Sequence, residues 1–490
     1  MRDLLRDPAW REEDVGFPLP DSPHACLVSL PTWSAVIGYE ESDPGVVDQM
    51  RAGYPRFFIH PITSDYLNTL EEQYAGSGER LMAYSSPMAA RRAATFVETQ
   101  SGCRGRIVEE APSLLVVPDK AYQAARDYWK HTGELISSRQ AEDRLQGVEP
   151  DHSRVEECRA ALAAVMESAI EDVFFFESGM AAIFTLHRIV TDRSPGKKTL
   201  QICFPYVDAL KVQQRFGSGV DFVNDPGGDG FEAVLSAIRE GVYAAVFCEV
   251  PSNPLLTTVD LSAVADACRD AATPLLVDDT VCSHLNVDLS GKADAVSTSL
   301  TKWVSGIGDV MAGSVRIHES SPFAAEFREA LGREVPHGTR LYPRDMEVLV
   351  ENARGLGERV SECNSNGLAI AEFLQEHKAV ARVWYPAFLD RENYESMRRP
   401  GAGFGGLMSF TLKDPGRVAE VYRAMRFSKG PSLGTDYSLL CPYAMLAHYT
   451  ETEWANGCGV ATELLRLSVG REPLDELRSR LAEGLACACG

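Results

Sequence analysis

One lysine and a handful of residues upstream of it have the types and spacing to do chemistry. Lys302 stands in Ser299-Leu300-Thr301-Lys302, just after the short apolar run Ala295-Val296. A lysine at the end of a buried strand is costly to keep as a free ammonium, and once it has lost its proton it is an amine nucleophile. In an extended segment the hydroxyls of Ser299 and Thr301 point to one side, where they could bind a phosphate. Read alone, Lys302 is equally a surface lysine at a strand end.

Four upstream features change that balance. Ser178-Gly179-Met180 falls where an apolar strand turns into a helix, and free N–H groups there form a phosphate cradle; a plain N-cap serine is the alternative. Tyr206 follows a strand and could lay its ring on a flat ligand, or pack in the core. Asn253 lies in the turn Pro251-Ser252-Asn253-Pro254. Asp278 closes the apolar strand Leu275-Leu276-Val277, and an acid there needs a partner; a ring nitrogen that must stay protonated supplies one, and an N-cap or turn role is the other reading. A phosphate cradle, a stacking ring, a buried acid and a lysine nucleophile together are the equipment for pyridoxal 5'-phosphate. The acid keeps the pyridine nitrogen protonated, and the lysine carries the cofactor as an imine.

The elements that must position these residues alternate. From Val155 onward short apolar strands are separated by helices of about ten residues. Strands are expected at Val173–Phe176, Thr199–Phe204, Val220–Val223, Ala244–Val250, Pro274–Asp278, Asp294–Ser297 and Gly313–Ile317. That alternation predicts an α/β fold with a largely parallel sheet covered on both faces, in which ligands gather at the carboxyl ends of the strands. Every candidate above lies at such an end. Residues 1–150 read as an extra N-terminal region, 151–351 as the cofactor-binding large domain, and 352–490 as a smaller α+β C-terminal domain.

Composition narrows the class. Of 490 residues 45% are hydrophobic and 24% charged, ordinary for a globular enzyme with a large core. The net charge of -22 disfavours nucleic acid or an anionic membrane as partner. No apolar run is long enough to span a bilayer, and the charged start MRDLLRDPAWREED lacks the apolar stretch of a secretory signal. The 12 cysteines show no paired zinc spacing, so no metal site is expected; they read as free thiols in a reducing cytoplasm, with Cys487-Ala488-Cys489 as a loose tail.

At this point the chain resembles the Cys/Met-metabolism family of pyridoxal-phosphate enzymes, which includes cystathionine γ-synthase, the cystathionine lyases and methionine γ-lyase. The resemblance rests on SGMAAI (Ser178–Ile183), PSNP (Pro251–Pro254), VDDT (Val277–Thr280), SLTK (Ser299–Lys302), SLG (Ser432–Gly434) and LLRLSVG (Leu464–Gly470), in that order. It implies a fold-type-I pyridoxal-phosphate transferase in which Ser178, Gly179 and Met180 bind phosphate and Ser299 and Thr301 support it. Tyr206 then stacks on the ring, since Arg215-Phe216-Gly217 follows it as an RFG follows the family's tyrosine. Asn253 lies near the ring hydroxyl, Asp278 at the ring nitrogen, and Lys302 holds the cofactor. Lys302 and Tyr206 are the catalytic pair. Arg466 takes the substrate carboxylate, which suits a forked guanidinium, and Ser432 joins it in substrate binding.

The pieces SLPTW, GYPRFF, HTGELISSR and GPSLGTDYSLLCPY resemble the longer, fungal-type cystathionine γ-synthase branch. That likeness implies γ-replacement on an O-acylhomoserine with L-cysteine; another nucleophile (sulfide or a carbon nucleophile) and a γ-lyase are alternatives. It also implies a homodimer or homotetramer with shared active sites. Two departures stand out. The family's Tyr-x-Arg clamp on a neighbouring subunit's phosphate has no tyrosine at the corresponding place, Ser137-Ser138-Arg139. Arg139 is the expected clamp by position, with Tyr54 and Arg56 the alternative. Tyr437 stands where a glutamate is common.

Overall fold

The computed structural model describes residues 2–225 and 227–488; Cys489 of the expected C-terminal tail lies outside them. A seven-stranded sheet forms its centre. In chain order the strands are β1 (Val173–Phe176), β2 (Thr199–Ile202), β3 (Val220–Val223), β4 (Val246–Glu249), β5 (Leu275–Asp278), β6 (Ala295–Ser299) and β7 (Gly313–Ile317). Their spatial order is β1-β7-β6-β5-β4-β2-β3. Adjacent strands from β6 through β5, β4 and β2 to β3 run parallel, and β7 alone runs antiparallel to both its neighbours. The sheet is therefore mostly parallel, as the alternation predicts. VFFF in β1 is wholly buried, which suits a strand covered on both faces.

A five-stranded sheet follows, from β8 (Val380–Trp384), β9 (Leu407–Leu412), β10 (Ser428–Lys429), β11 (Leu439–Pro442) and β12 (Leu465–Ser468), in the order β8-β9-β12-β11-β10. The long helical stretch before it is two helices, Pro343–Ala353 and Leu356–Glu376.

The N-terminal region divides its packing between these two parts. Residues 61–146 build a small antiparallel sheet (Glu79–Ala83, Leu114–Pro118, Arg106–Ile107) flanked by the helices Pro61–Tyr74, Pro87–Ser101 and Tyr122–Thr132. Its apolar side shares one core with Met180, Ile183 and Phe184 of the helix that follows β1. The segment before it docks on the second sheet instead: Val28, Leu30, Val36 and Met50 join the core around β9 and β12. Lys429 fixes that segment, donating from Nζ to the Pro31 carbonyl at 3.2 Å. The chain passes between the two parts around Tyr54–Arg56, and so crosses the seam where the strand ends face the second sheet.

A helix spans Ser138–Gln146, capped by Ser137, whose Oγ accepts from Gln140 N at 3.1 Å. The helix before it stops at Gly133, at φ +69°. A Cβ there would lie 2.1 Å from Ser178 Oγ, so the glycine serves both the left-handed turn and the close approach. No helix among the described residues is long and apolar enough to cross a membrane. Their cysteines are free thiols, and no group of three or more His, Cys, Asp or Glu among them is arranged to hold a metal ion.

Candidate active site

At the carboxyl ends of β1, β4, β5 and β6 a cavity opens, closed on its far side by Ser432, Tyr443 and Arg466 of the C-terminal part. Lys302 is on its wall. Its Nζ donates to Ser432 Oγ at 2.6 Å and lies 3.4 Å from Tyr54 OH and 4.5 Å from that ring's centre. Burial, aided by the nearby charges of Arg466 and Arg56, pushes the amine down to about 7. Near neutrality it is therefore available as a nucleophile and base. Ser432, its partner, holds φ at +115°, unusual for a residue with a side chain, and the surrounding contacts must enforce it.

Asp278 lies at the end of β5, in register with Glu249 on β4 and Ser297 on β6. Its Oδ1 accepts from Thr280 N at 2.8 Å and its Oδ2 from Ser297 Oγ at 3.0 Å. Burial pushes its carboxyl up to about 6. Glu249 is raised too, by burial and by Asp278 beside it, and accepts from Tyr206 N at 2.5 Å. Among the described residues no cationic side chain pairs with Asp278. A buried acid facing a cavity without a cation fits a protonated ring nitrogen as its missing partner.

The helix Gly179–Arg193 starts at the same cavity. Ser178 is its N-cap: Oγ accepts from Ala181 N at 3.0 Å and donates to the Gly133 carbonyl at 2.9 Å. That hydroxyl is committed, so the Ser178 side chain does not reach the cavity, whereas Gly179 and Met180 line it with the first N–H groups of the helix. A Cβ on Gly179 would come within 2.7 Å of Ser299 Cβ, and Ser299 lines the cavity too. These features fit the phosphate and ring of pyridoxal 5'-phosphate.

One expectation drawn from strand alternation is corrected. Thr301 does not share the face of Ser299. Strand β6 ends at Ser299, so the alternation stops there; Thr301 turns inward, accepting from Ala312 N at 3.0 Å. Arg139 lies away from this chain's own cavity. It is buried, donating to Asp345 Oδ1 at 3.0 Å and to the Asp309 carbonyl at 2.8 Å. The alternative pair, Tyr54 and Arg56, lines the cavity from within the same chain. Arg56 is fully buried; Nη1 pairs with Asp208 Oδ2 at 2.6 Å, Nη2 donates to the Tyr206 hydroxyl, and His131 Nδ1 is 2.8 Å from the other oxygen of Asp208.

Arg466, on β12, projects across from Lys302. Its Nη1 donates to Asn253 Oδ1 at 2.9 Å and its Nη2 to the Ser432 carbonyl at 2.8 Å, with Tyr443's ring 4.9 Å away. Asn253 also donates to Tyr443 OH at 3.3 Å. Lys302, Tyr206, Gly179, Met180, Asn253, Asp278, Ser299, Ser432 and Arg466 thus meet at one cavity, and Ser178, Thr301 and Arg139 stand behind its walls. Tyr437 is buried elsewhere, with its hydroxyl 3.2 Å from the Ile307 carbonyl. Sequence reasoning missed Glu249, Tyr443 and Glu40 as wall residues. Glu249 had a signal, since like Asp278 it is an acid closing an apolar strand.

Residues 147–486 match the family model for Cys/Met metabolism PLP-dependent enzymes, and residues 65–137 that for the fungal trans-sulfuration enzyme N-terminal domain. The chain belongs to the Cys/Met metabolism family of PLP-dependent enzymes, and pyridoxal 5'-phosphate is its cofactor. It is 28% identical to a cystathionine γ-synthase of Neurospora crassa, over 97% of this chain and 98% of that one. It is 31% identical to the L-2-amino-4-chloropent-4-enoate dechlorinase/desaturase of Streptantibioticus cattleyicolor, over 93% and 95%. Among solved structures, cystathionine γ-synthase of Xanthomonas oryzae pv. oryzae in complex with aminoacrylate and cysteine superposes with a TM-score of 0.57 at 26% identity, over 68% and 86%. The fold is that of the fold-type-I pyridoxal-phosphate enzymes, and the chain is cystathionine γ-synthase-like.

Proposed function

We propose that the protein replaces the γ substituent of an O-acylhomoserine with the sulfur of L-cysteine, giving cystathionine. The observation that carries this reading is the pairing of Lys302 with Arg466 across one cavity. An amine held near neutrality faces a forked guanidinium oriented by Asn253 and the Ser432 carbonyl, a receptor for an amino-acid carboxylate beside a base for its α proton. The full-length likeness to a cystathionine γ-synthase supports the choice of reaction.

Gly179, Met180, Ser299 and the pair Tyr54–Arg56 would hold the cofactor's phosphate end, Tyr206 its ring and Asp278 its ring nitrogen. The bound cofactor supplies an electron sink for charge developing at Cα and Cβ. Lys302 removes the proton from Cα and then a proton from Cβ, with Ser432 holding its amine in place. The C–O bond at Cγ breaks, and the acyl group leaves as a carboxylate. The cysteine thiol loses its proton as the C–S bond forms, and Lys302 returns protons to the carbon skeleton. The Tyr206 hydroxyl, fixed by Arg56, is the second proton-handling group at the cavity.

The test is the purified protein with O-acetyl- and O-succinylhomoserine, with and without L-cysteine, products read by mass spectrometry. Cystathionine is the expected product; a keto acid and ammonia regardless of cysteine would overturn γ-replacement. Elimination at Cγ is a second reading. It is favoured by the 31% identity to an enzyme whose named substrate carries chlorine at that carbon. A homodimer or homotetramer in the cytoplasm completes the proposal.

The phosphate clamp gives a separate prediction. Arg56→Ala is expected to release cofactor on dialysis at least about tenfold faster than wild type, since a charge-assisted contact is worth about 1.5–3 kcal/mol. Arg139→Ala is expected to retain cofactor; each substitution takes the arginine from a buried acid, Asp345 or Asp208, and should cost about 3–5 kcal/mol of stability, so cofactor retention is what distinguishes them. Absorbance after dialysis separates the two, and a denaturant titration reads the shared loss; release from Arg139→Ala alone would reverse the assignment.

A further inference from the structure

One carboxylate lining this cavity serves neither the fold nor the reaction as described. The helix Trp33–Glu40, capped at its start by Thr32, delivers Tyr39 and Glu40 to the cavity wall. Two acids in succession, Glu40 and Glu41, close that helix, at the end where the helix dipole disfavours negative charge. Glu41 has a structural partner, the hydroxyl of Tyr449. Glu40, half-buried, has no hydrogen bond and no ion pair among the described residues. Phe57, Leu446 and Ala447 line the same cavity. Burial pushes its carboxyl up to about 7, opposed by the charge of Lys130. Lys130, whose ammonium sits 5.1 Å over the Phe57 ring, acts on Glu40 through its charge and makes no ion pair with it. A local rule broken twice, at dipole and at desolvation, with no gain to the fold marks a binding site.

Arg466 is already the receptor for one carboxylate, and Lys302 meets the first substrate's amino group. The unpaired carboxylate of Glu40 on the same cavity is left for the cation of the second substrate. We propose that Glu40 binds the ammonium group of the attacking co-substrate, so that the site selects an amino-bearing thiol over sulfide or an uncharged nucleophile. This rests on the γ-replacement reading and names the class of nucleophile for it. Sulfide or a neutral carbon acid would leave Glu40 unpaired, whereas an ammonium restores a charge-assisted hydrogen bond.

The test compares wild-type holoenzyme with Glu40→Gln on L-cysteine, cysteamine and 2-mercaptoethanol; the last two share a thiol and differ in ammonium against hydroxyl. The expected result is a KM about tenfold to a hundredfold higher for L-cysteine and cysteamine. KM values for 2-mercaptoethanol and the O-acylhomoserine should be little changed. Unchanged KM for the amines, or equal losses with all three thiols, would overturn the proposal. A second measurement needs no turnover. Borohydride-reduced holoenzyme is titrated by calorimetry with 2-(methylthio)ethylamine and with 2-(methylthio)ethanol. Preference for the amine, lost in Glu40→Gln, supports the site even if wild type adds no thiol, in which case γ-replacement alone fails. Absence of that preference in wild type overturns the site and leaves γ-replacement standing.

Discussion

Lys302→Ala is expected to lower kcat by about 10⁴-fold or more, since it removes the proton-transfer group along with the cofactor's covalent anchor. The protein should still fold: among the described residues the Lys302 side chain hydrogen-bonds only Ser432 and Tyr54, and both keep access to the cavity. Borohydride followed by peptide mapping should label Lys302 in wild type and no lysine in the variant; label on another lysine would overturn the assignment. A pH signature accompanies the loss. In the cofactor-free chain the amine titrates at about 7 when folded, against the ordinary lysine value of 10.5, so the unfolded chain binds more protons between those values. Cofactor-free wild type should therefore gain stability as pH rises from about 7 toward 10.5, and Lys302→Ala should lack that part of the rise. Denaturant titrations at the two ends of the window measure it.

The parts of this site legible in the sequence are those set by local pattern. Asp278, Ser299 and the Ser178 turn end short apolar runs, and strands β1, β3 and β7 fall where the runs begin and end. Once parallel strands are expected, their carboxyl ends converge without further information. Thr301 shows the limit of that logic, because the side-chain alternation it relied on ends one residue after Thr298, at Ser299. What closes the site comes from far along the chain. Ser432 lies 130 residues from Lys302 and Tyr54 lies 248 residues from it. Arg139 was placed by its distance from the SGMAAI turn, but its fate is decided by Asp345, 206 residues away. Arg56 likewise finds Asp208 across 152 residues. Both arginines meet a buried acid, and no local periodicity encodes which of them also lines the cavity. That choice is made by how the first 60 residues cross from the C-terminal sheet to the large sheet, a consequence of packing the Val28–Met50 segment around β9 and β12.

Arg466→Ala is expected to lower kcat/KM for the amino-acid substrate by about 10²–10³-fold, chiefly through KM, because removing one partner of a buried charged pair costs about 3–5 kcal/mol. Arg466 is buried, and its two guanidinium nitrogens are already aimed by Asn253 Oδ1 and the Ser432 carbonyl. Arg466→Lys should recover only part of the loss, since a single ammonium cannot meet both anchors and both carboxylate oxygens. The same substitution reaches Lys302. Burial is the main force holding that amine at about 7, and Arg466 is the charge that adds most to it. Without Arg466 the amine moves up, so a larger fraction is protonated at neutral pH. Cofactor loading of the apo-enzyme, followed by absorbance, should then have its midpoint at higher pH in Arg466→Ala than in wild type, whereas Arg466→Lys, which keeps the charge, should stay near wild type. An unchanged KM would remove Arg466 from the carboxylate role. A raised KM with an unmoved loading midpoint would keep that role and show that burial alone sets the state of Lys302.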